Sequence, residues 1–182
     1  MIAGCPNNLF MGIEQLLISI PDYAKDLRLN LTAVLAQQDL TPQQTWGAAL
    51  ASAIVSRNPL LLAAVNRDAQ AHLSAEAQFG ARTAAAVTGM TNIYYRFQHL
   101  VEKDRYRELP ARLRMQSLRT HGADPVDFEL WCLAVSVING CGACVAGHER
   151  HVIEKGLSEE QVVAAVRIAS VIYAVATVLD AA

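Results

Sequence analysis

The sequence predicts an all-α protein, a helical bundle built on an internally duplicated helical-hairpin unit. Three observations predict it. Ala, Leu and Val dominate, while Gly and Pro gather at breaks. Helix-start signatures recur just before apolar runs. No stretch alternates apolar and polar residues as a half-buried strand would. At 182 residues, with 53% hydrophobic and 18% charged side chains, the chain is long enough for one core and too apolar for disorder.

Residues 1–12 read as an N-terminal extension, because Met11-Gly12-Ile13-Glu14 makes a natural start and Cys5 falls before it. Residues 13–182 read as a single all-helical domain. Thr41-Pro42-Gln43-Gln44 is a capping box with Pro at the first helical position. Asn58-Pro59 interrupts the helical pattern, and His121-Gly122-Ala123-Asp124-Pro125 is the next clear break. Asp124-Pro125-Val126-Asp127 starts a helix over 126–138, and Asn139-Gly140 stops it. Cys141 opens another helix, and Ser158 with Gln161 starts the last.

Trp46-Gly47-Ala48-Ala49-Leu50-Ala51-Ser52-Ala53-Ile54 resembles Trp131-Cys132-Leu133-Ala134-Val135-Ser136-Val137-Ile138. Ala85-Ala86-Val87 and Ile93-Tyr94 resemble Ala164-Ala165-Val166 and Ile172-Tyr173. The reading is a degenerate repeat at about 41–100 and a working repeat at about 124–180, with Ser56 and Pro59 in the places of Cys141 and Cys144. Chance similarity among Ala/Val-rich helices is the competing explanation.

The chemistry concentrates in Cys141-Gly142-Ala143-Cys144 and His148. A helix N-terminus presents free N–H groups and the positive end of the dipole, which favour a thiolate. An ordinary cysteine titrates at about 8.5, and each unit of lowering is about 1.36 kcal/mol. The dipole supplies about 0.3–1 kcal/mol of this, so a neighbouring imidazole is needed as well. Cys144 and His148 are i and i+4 on one helix face. A short turn makes the flanking helices antiparallel, which puts Glu129 within reach of His148 or His151. A carboxylate orienting an imidazole that faces a thiol is the arrangement of an activated nucleophile. Helix-end electrostatics favour Cys141 as attacker, and the relation to His148 favours Cys144. The reading adopted is Cys144 attacking and Cys141 resolving, with His148 as proton relay and Glu129 orienting it; His151 reads as a solvated helix residue, with a secondary role as the alternative.

Blander explanations compete with this one. A CxxC can be half a zinc site, but no second close pair completes a tetrahedron, so no metal is expected. Cys132 reads as a small buried thiol, and Trp46, Trp131 and Tyr94 as packing. Arg96, Arg105, Arg107, Arg112, Arg114 and Arg119 form a loose basic run best explained as a solvated or intersubunit face. A net charge of −2 with no basic tract argues against nucleic acid. The longest uncharged stretch, 130–147, contains Asn139, Gly140, Gly142 and the cysteines and is a poor membrane span. A cytoplasmic location is expected, where a CxxC is more often catalytic or metal-binding than structural.

Glu129, Cys141-Gly142-Ala143-Cys144 and His148 resemble the Glu…CxxC…His signature of the alkyl hydroperoxidase D (AhpD) family, in the carboxymuconolactone decarboxylase-like superfamily. The likeness continues through Tyr23-Ala24-Lys25-Asp26, Trp46-Gly47, Arg57-Asn58-Pro59, Met90-Thr91-Asn92, Leu113-Arg114-Met115 and Phe128-Glu129-Leu130-Trp131, covering about 13–179. The resemblance implies an all-helical, duplicated fold and a homotrimer. It implies a thiol peroxidase with no bound cofactor that reduces alkyl hydroperoxides through a Cys141–Cys144 disulfide, Cys144 being peroxidatic. It implies re-reduction by dihydrolipoyl groups on a lipoylated acyltransferase served by dihydrolipoamide dehydrogenase, and support of the peroxiredoxin AhpC. The alternative reading is a thiol–disulfide adaptor that reduces such a peroxiredoxin and has little peroxidase activity itself. The chain departs from the family at Ala143, where the best-known members carry a histidine; either that histidine is dispensable or proton supply differs, with His151 as the candidate.

Overall fold

Small side chains decide how this chain packs. The computed structural model describes residues 12–181; Cys5 and most of the expected extension lie outside them. Among the described residues there is no strand. The helices run as α1 (Ile13–Ile18), α2 (Lys25–Ala36), α3 (Pro42–Ser56), α4 (Pro59–Ala69), α5 (Ala75–Thr83), α6 (Gly89–Val101), α7 (Asp104–Glu108), α8 (Pro125–Ile138), α9 (Gly142–Glu154) and α10 (Glu159–Ala181). Short 3₁₀ turns sit before α2 (Asp22–Ala24) and before α8 (Gln116–Arg119). A π-helical segment (Ala84–Thr88) joins α5 to α6.

The caps read from the sequence form. Gln44 N–H donates to Thr41 Oγ1 at 3.2 Å, and Thr41 N–H donates back to Gln44 Oε1 at 3.1 Å. Asp124 Oδ1 accepts from Val126 and Asp127 N–H at 2.8 and 3.1 Å. Ser158 and Gln161 close a second box ahead of α10. The stretch between α6 and α8 is held by short turns, with left-handed backbone at Glu102, Arg112 and Gly122.

At the centre, α3, α8 and α10 pack on one another. α3 contributes Ala48, Ala49, Ala51 and Ala53, which let the larger Leu130, Trp131, Leu133, Ile168 and Ile172 sit fully buried. α10 is long and apolar enough to cross a membrane by length and composition alone. Here its buried face packs on α2, α3 and α8. Polar groups fix the register between α3 and α8. Buried Asp127 accepts from the side-chain amides of Gln43 at 2.7 Å and Gln44 at 2.8 Å, and Trp131 Nε1–H donates to the Gln44 carbonyl at 3.2 Å.

Gly47 is where that register is tightest, since a Cβ there would lie 2.1 Å from the Trp131 ring. Alanine ordinarily favours a helix interior over glycine by about 1 kcal/mol. Overpacking a filled core costs about 1–3 kcal/mol, so the penalty wins. Gly47→Ala should lower the urea midpoint of the chain; a midpoint at or above wild type would show that the indole moves aside freely.

Candidate active site

The site is built on the turn between α8 and α9. Gly140 takes φ +66°, a left-handed conformation that suits glycine. Its N–H donates to the Val137 carbonyl at 3.1 Å, and Cys141 N–H donates to the Ser136 carbonyl at 3.2 Å. These two bonds make a Schellman closure of α8. Cys141 is at once the last residue of that closure and the N-cap of α9, its carbonyl accepting from Val145 N–H at 2.9 Å. The first cysteine is therefore fixed from both sides by backbone bonds.

α6 grips the same turn. Buried Asn92 donates through Nδ2 to Ser136 Oγ at 2.9 Å and accepts at Oδ1 from Asn139 Nδ2 at 3.0 Å. The Arg96 guanidinium donates to the Asn139 carbonyl. Arg96 of the basic run is half-buried and ties the helix stop. Arg105 and Arg107 do face solvent, paired with Glu108 at 3.2 Å and Asp104 at 3.5 Å.

Glu129 and His148 meet across the hairpin, with Oε2 and Nδ1 2.6 Å apart. That hydrogen bond holds the Glu129 carboxyl below its ordinary value, against the upward push of partial burial; the charges of His148, His151 and His121 add to the lowering. An ionised carboxylate only accepts, so Nδ1 carries the proton and Nε2 is left to exchange one. His151 is exposed. His121, which sequence reasoning misses, is buried and stacked on Phe128 with ring centroids 3.8 Å apart, and burial pushes its imidazole down.

The sulfurs of Cys141 and Cys144 are joined, with Cα atoms 5.3 Å apart, inside the span a disulfide bridges. Their surroundings differ. Cys141 is fully buried, whereas Cys144 is half-buried and opens onto a cavity of about 570 Å³. Tyr95, Gln98 and His99 of α6, Arg107 of α7 and Ala143 complete its lining. Cys132 is buried too, and burial pushes its thiol up to about 12.

The C-terminal half carries the signature of a wider family, since the carboxymuconolactone decarboxylase family profile matches residues 104–182. A protein of Solibacter usitatus named alkyl hydroperoxide reductase AhpD is 57% identical over 170 residues, 93% of this chain and 96% of its own. One of the same name from Acidobacterium capsulatum is 55% identical over 172 residues, 94% of each chain. The chain belongs to the AhpD family. A Koribacter versatilis AhpD is 52% identical over 94% of this chain and 89% of its own, so the kinship runs nearly end to end. Within this AhpD-family chain, Asn92, Arg96, His99 and His121 are the residues that sequence reasoning does not bring to the site. Only Asn139-Gly140 hints at a turn needing support.

Two measurements test this geometry. After reduction of the native chain, iodoacetamide at neutral pH should modify Cys144 ahead of Cys141 and leave Cys132 untouched in peptide maps. Labelling of Cys132 as fast as Cys144 would contradict the burial described. Because the folded Glu129 carboxyl is depressed, its contribution to stability is present above about 4.5 and is lost as pH falls through the lowered value. The stability gap between wild type and Glu129→Gln should therefore close on acidification below that point, read by denaturant melts at stepped pH; a constant gap would remove the His148 bond as its cause.

Proposed function

We propose that the chain is a thiol-dependent alkyl hydroperoxide reductase working through Cys141 and Cys144. The observation that carries the reading is the inequality of the two sulfurs: one is locked and buried at a helix cap, the other faces a cavity, and a Glu129–His148 pair stands on the same hairpin. A half-buried thiolate open to a cavity, one helical turn from a proton carrier, is the part that meets peroxide, and a buried partner three positions earlier is the part that closes on it.

In this reading the Nε2 atom of His148 takes the Cys144 proton while Glu129 holds Nδ1. The thiolate attacks the terminal hydroperoxide oxygen. An S–O bond forms as O–O breaks, the alcohol leaves with a proton, and Cys144 becomes a sulfenic acid. The Cys141 thiol displaces water and the disulfide closes. Dihydrolipoyl groups on a lipoylated acyltransferase reopen it through a mixed disulfide, and dihydrolipoamide dehydrogenase recharges them. No cofactor or metal is held between turnovers. The same proposal includes a cytoplasmic location, a duplicated hairpin plan and a homotrimer. Assembly is supported by Ile93, Phe97 and Leu100 on α6 and Tyr173 on α10, all exposed.

A second reading is a thiol–disulfide adaptor that reduces a peroxiredoxin of the AhpC kind. One observation favours it: Ala143, beside Cys144, brings no titratable group to the cavity. Disulfide exchange needs two sulfurs and access, and less proton supply.

The purified chain with tert-butyl hydroperoxide and dihydrolipoamide should consume peroxide unaided, and Cys144→Ser should bring consumption to background. Cys141→Ser should stop after one equivalent and leave a trappable sulfenic acid. Undiminished turnover in Cys144→Ser would sink the peroxidase reading, and consumption that begins only when a peroxiredoxin is added would establish the adaptor.

A further inference from the structure

The cavity above Cys144 poses a specific chemical demand. Breaking a hydroperoxide O–O bond expels an alkoxide, a strong base that must be met by a proton as it forms. His148 Nδ1 is committed to Glu129 at 2.6 Å, and neither His148 nor His151 lines the cavity. The lining groups that carry protons are Tyr95, Gln98 and His99 on α6, Arg107 on α7 and Cys144 itself. A side-chain amide is no acid of this kind and Arg107 is occupied with Asp104 at 3.5 Å, which leaves the Tyr95 phenol and the His99 imidazole as proton donors at neutral pH. An imidazole is the side chain that gives and regains a proton there.

We propose that His99 is a further catalytic residue, the acid that protonates the departing alkoxide when a hydroperoxide reacts at Cys144. The proposal rests on the peroxidase reading above. It divides proton traffic between two histidines on different helices. His148, paired with Glu129, accepts the proton of the Cys144 thiol. His99, in the last turn of α6 and on the open side of the cavity, delivers one to the oxygen that leaves. The balance for the step is thiolate plus ROOH plus the His99 proton, giving sulfenic acid plus ROH. The sulfur loses two electrons, the O–O bond gains them, and neutral His99 is re-protonated from water through the cavity mouth. The position is set by the same helix that holds the turn: Asn92, Arg96 and His99 recur at i, i+4 and i+7 along α6.

The test compares leaving groups on the pre-reduced full chain by stopped-flow oxidation of Cys144. His99→Gln should slow reaction with tert-butyl hydroperoxide by about 100-fold, within the range of general-acid catalysis. Peracetic acid expels a carboxylate that needs no proton, so its rate should stay within about threefold of wild type. Dihydrolipoamide reduction of the variant disulfide should also be unchanged. Loss of both oxidation rates to the same degree would overturn the proposal, because His99 would then act on the thiolate or on the fold. A tert-butyl hydroperoxide rate equal to wild type would overturn it with the peroxidase reading intact. Wild type that exchanges disulfides but never reacts with hydroperoxide would overturn both.

Discussion

Everything at the candidate site depends on how α8 ends. A left-handed Gly140 and two closing backbone bonds put Cys141 at the cap of α9, bonded on both sides through its main chain. Cys144 and His148 then inherit their directions from α9, and Glu129 inherits its distance to His148 from the hairpin. α6 adds the external clamp through Asn92 and Arg96. Buried polar contacts of this kind specify one arrangement because each group has a partner only there.

Burial separates the three described cysteines into three kinds. Cys132 sits in the core, where burial outweighs a hydrogen bond with Thr88 and pushes its thiol up to about 12, leaving it inert. Cys141 is covered by the turn it terminates. Cys144 reaches a cavity. The difference comes from placement, since the intrinsic chemistry is the same in all three. The carboxylate of Glu129 illustrates the same rule: hydrogen bonding to His148 outweighs partial burial, and the acid stays ionised.

Much of this is legible along the chain, and the reason is locality. Capping boxes at Thr41 and Ser158, the helix start at Asp124 and the stop at Asn139-Gly140 are each written within a few adjacent residues, so the helices they bound can be read directly. Glu129 and His148 are within reach of the same method because a tight hairpin links them. Asn92, Arg96 and His99 are not. They lie more than forty positions before the cysteines, in a segment whose periodicity says only that it is a helix. Which stripe of that helix meets the turn depends on tertiary packing, which no short window contains. Arg96 shows the consequence: in the sequence it belongs to a loose cationic run, and in space it answers a single carbonyl.

The π-helical stretch Ala84–Thr88 sets the phase of that stripe. A π turn holds more residues than an α turn, and each residue along a helix corresponds to a rotation of about 100°. α5 and α6 are therefore clocked out of step with each other although they run as one rod. α5 presents Ala77, Ala81 and their neighbours to the core, and α6 presents its polar stripe to the cysteine turn. A straight helix of uniform pitch would have to choose between the two. The irregular segment lets one continuous element serve the interior of the bundle at one end and the cysteine hairpin at the other.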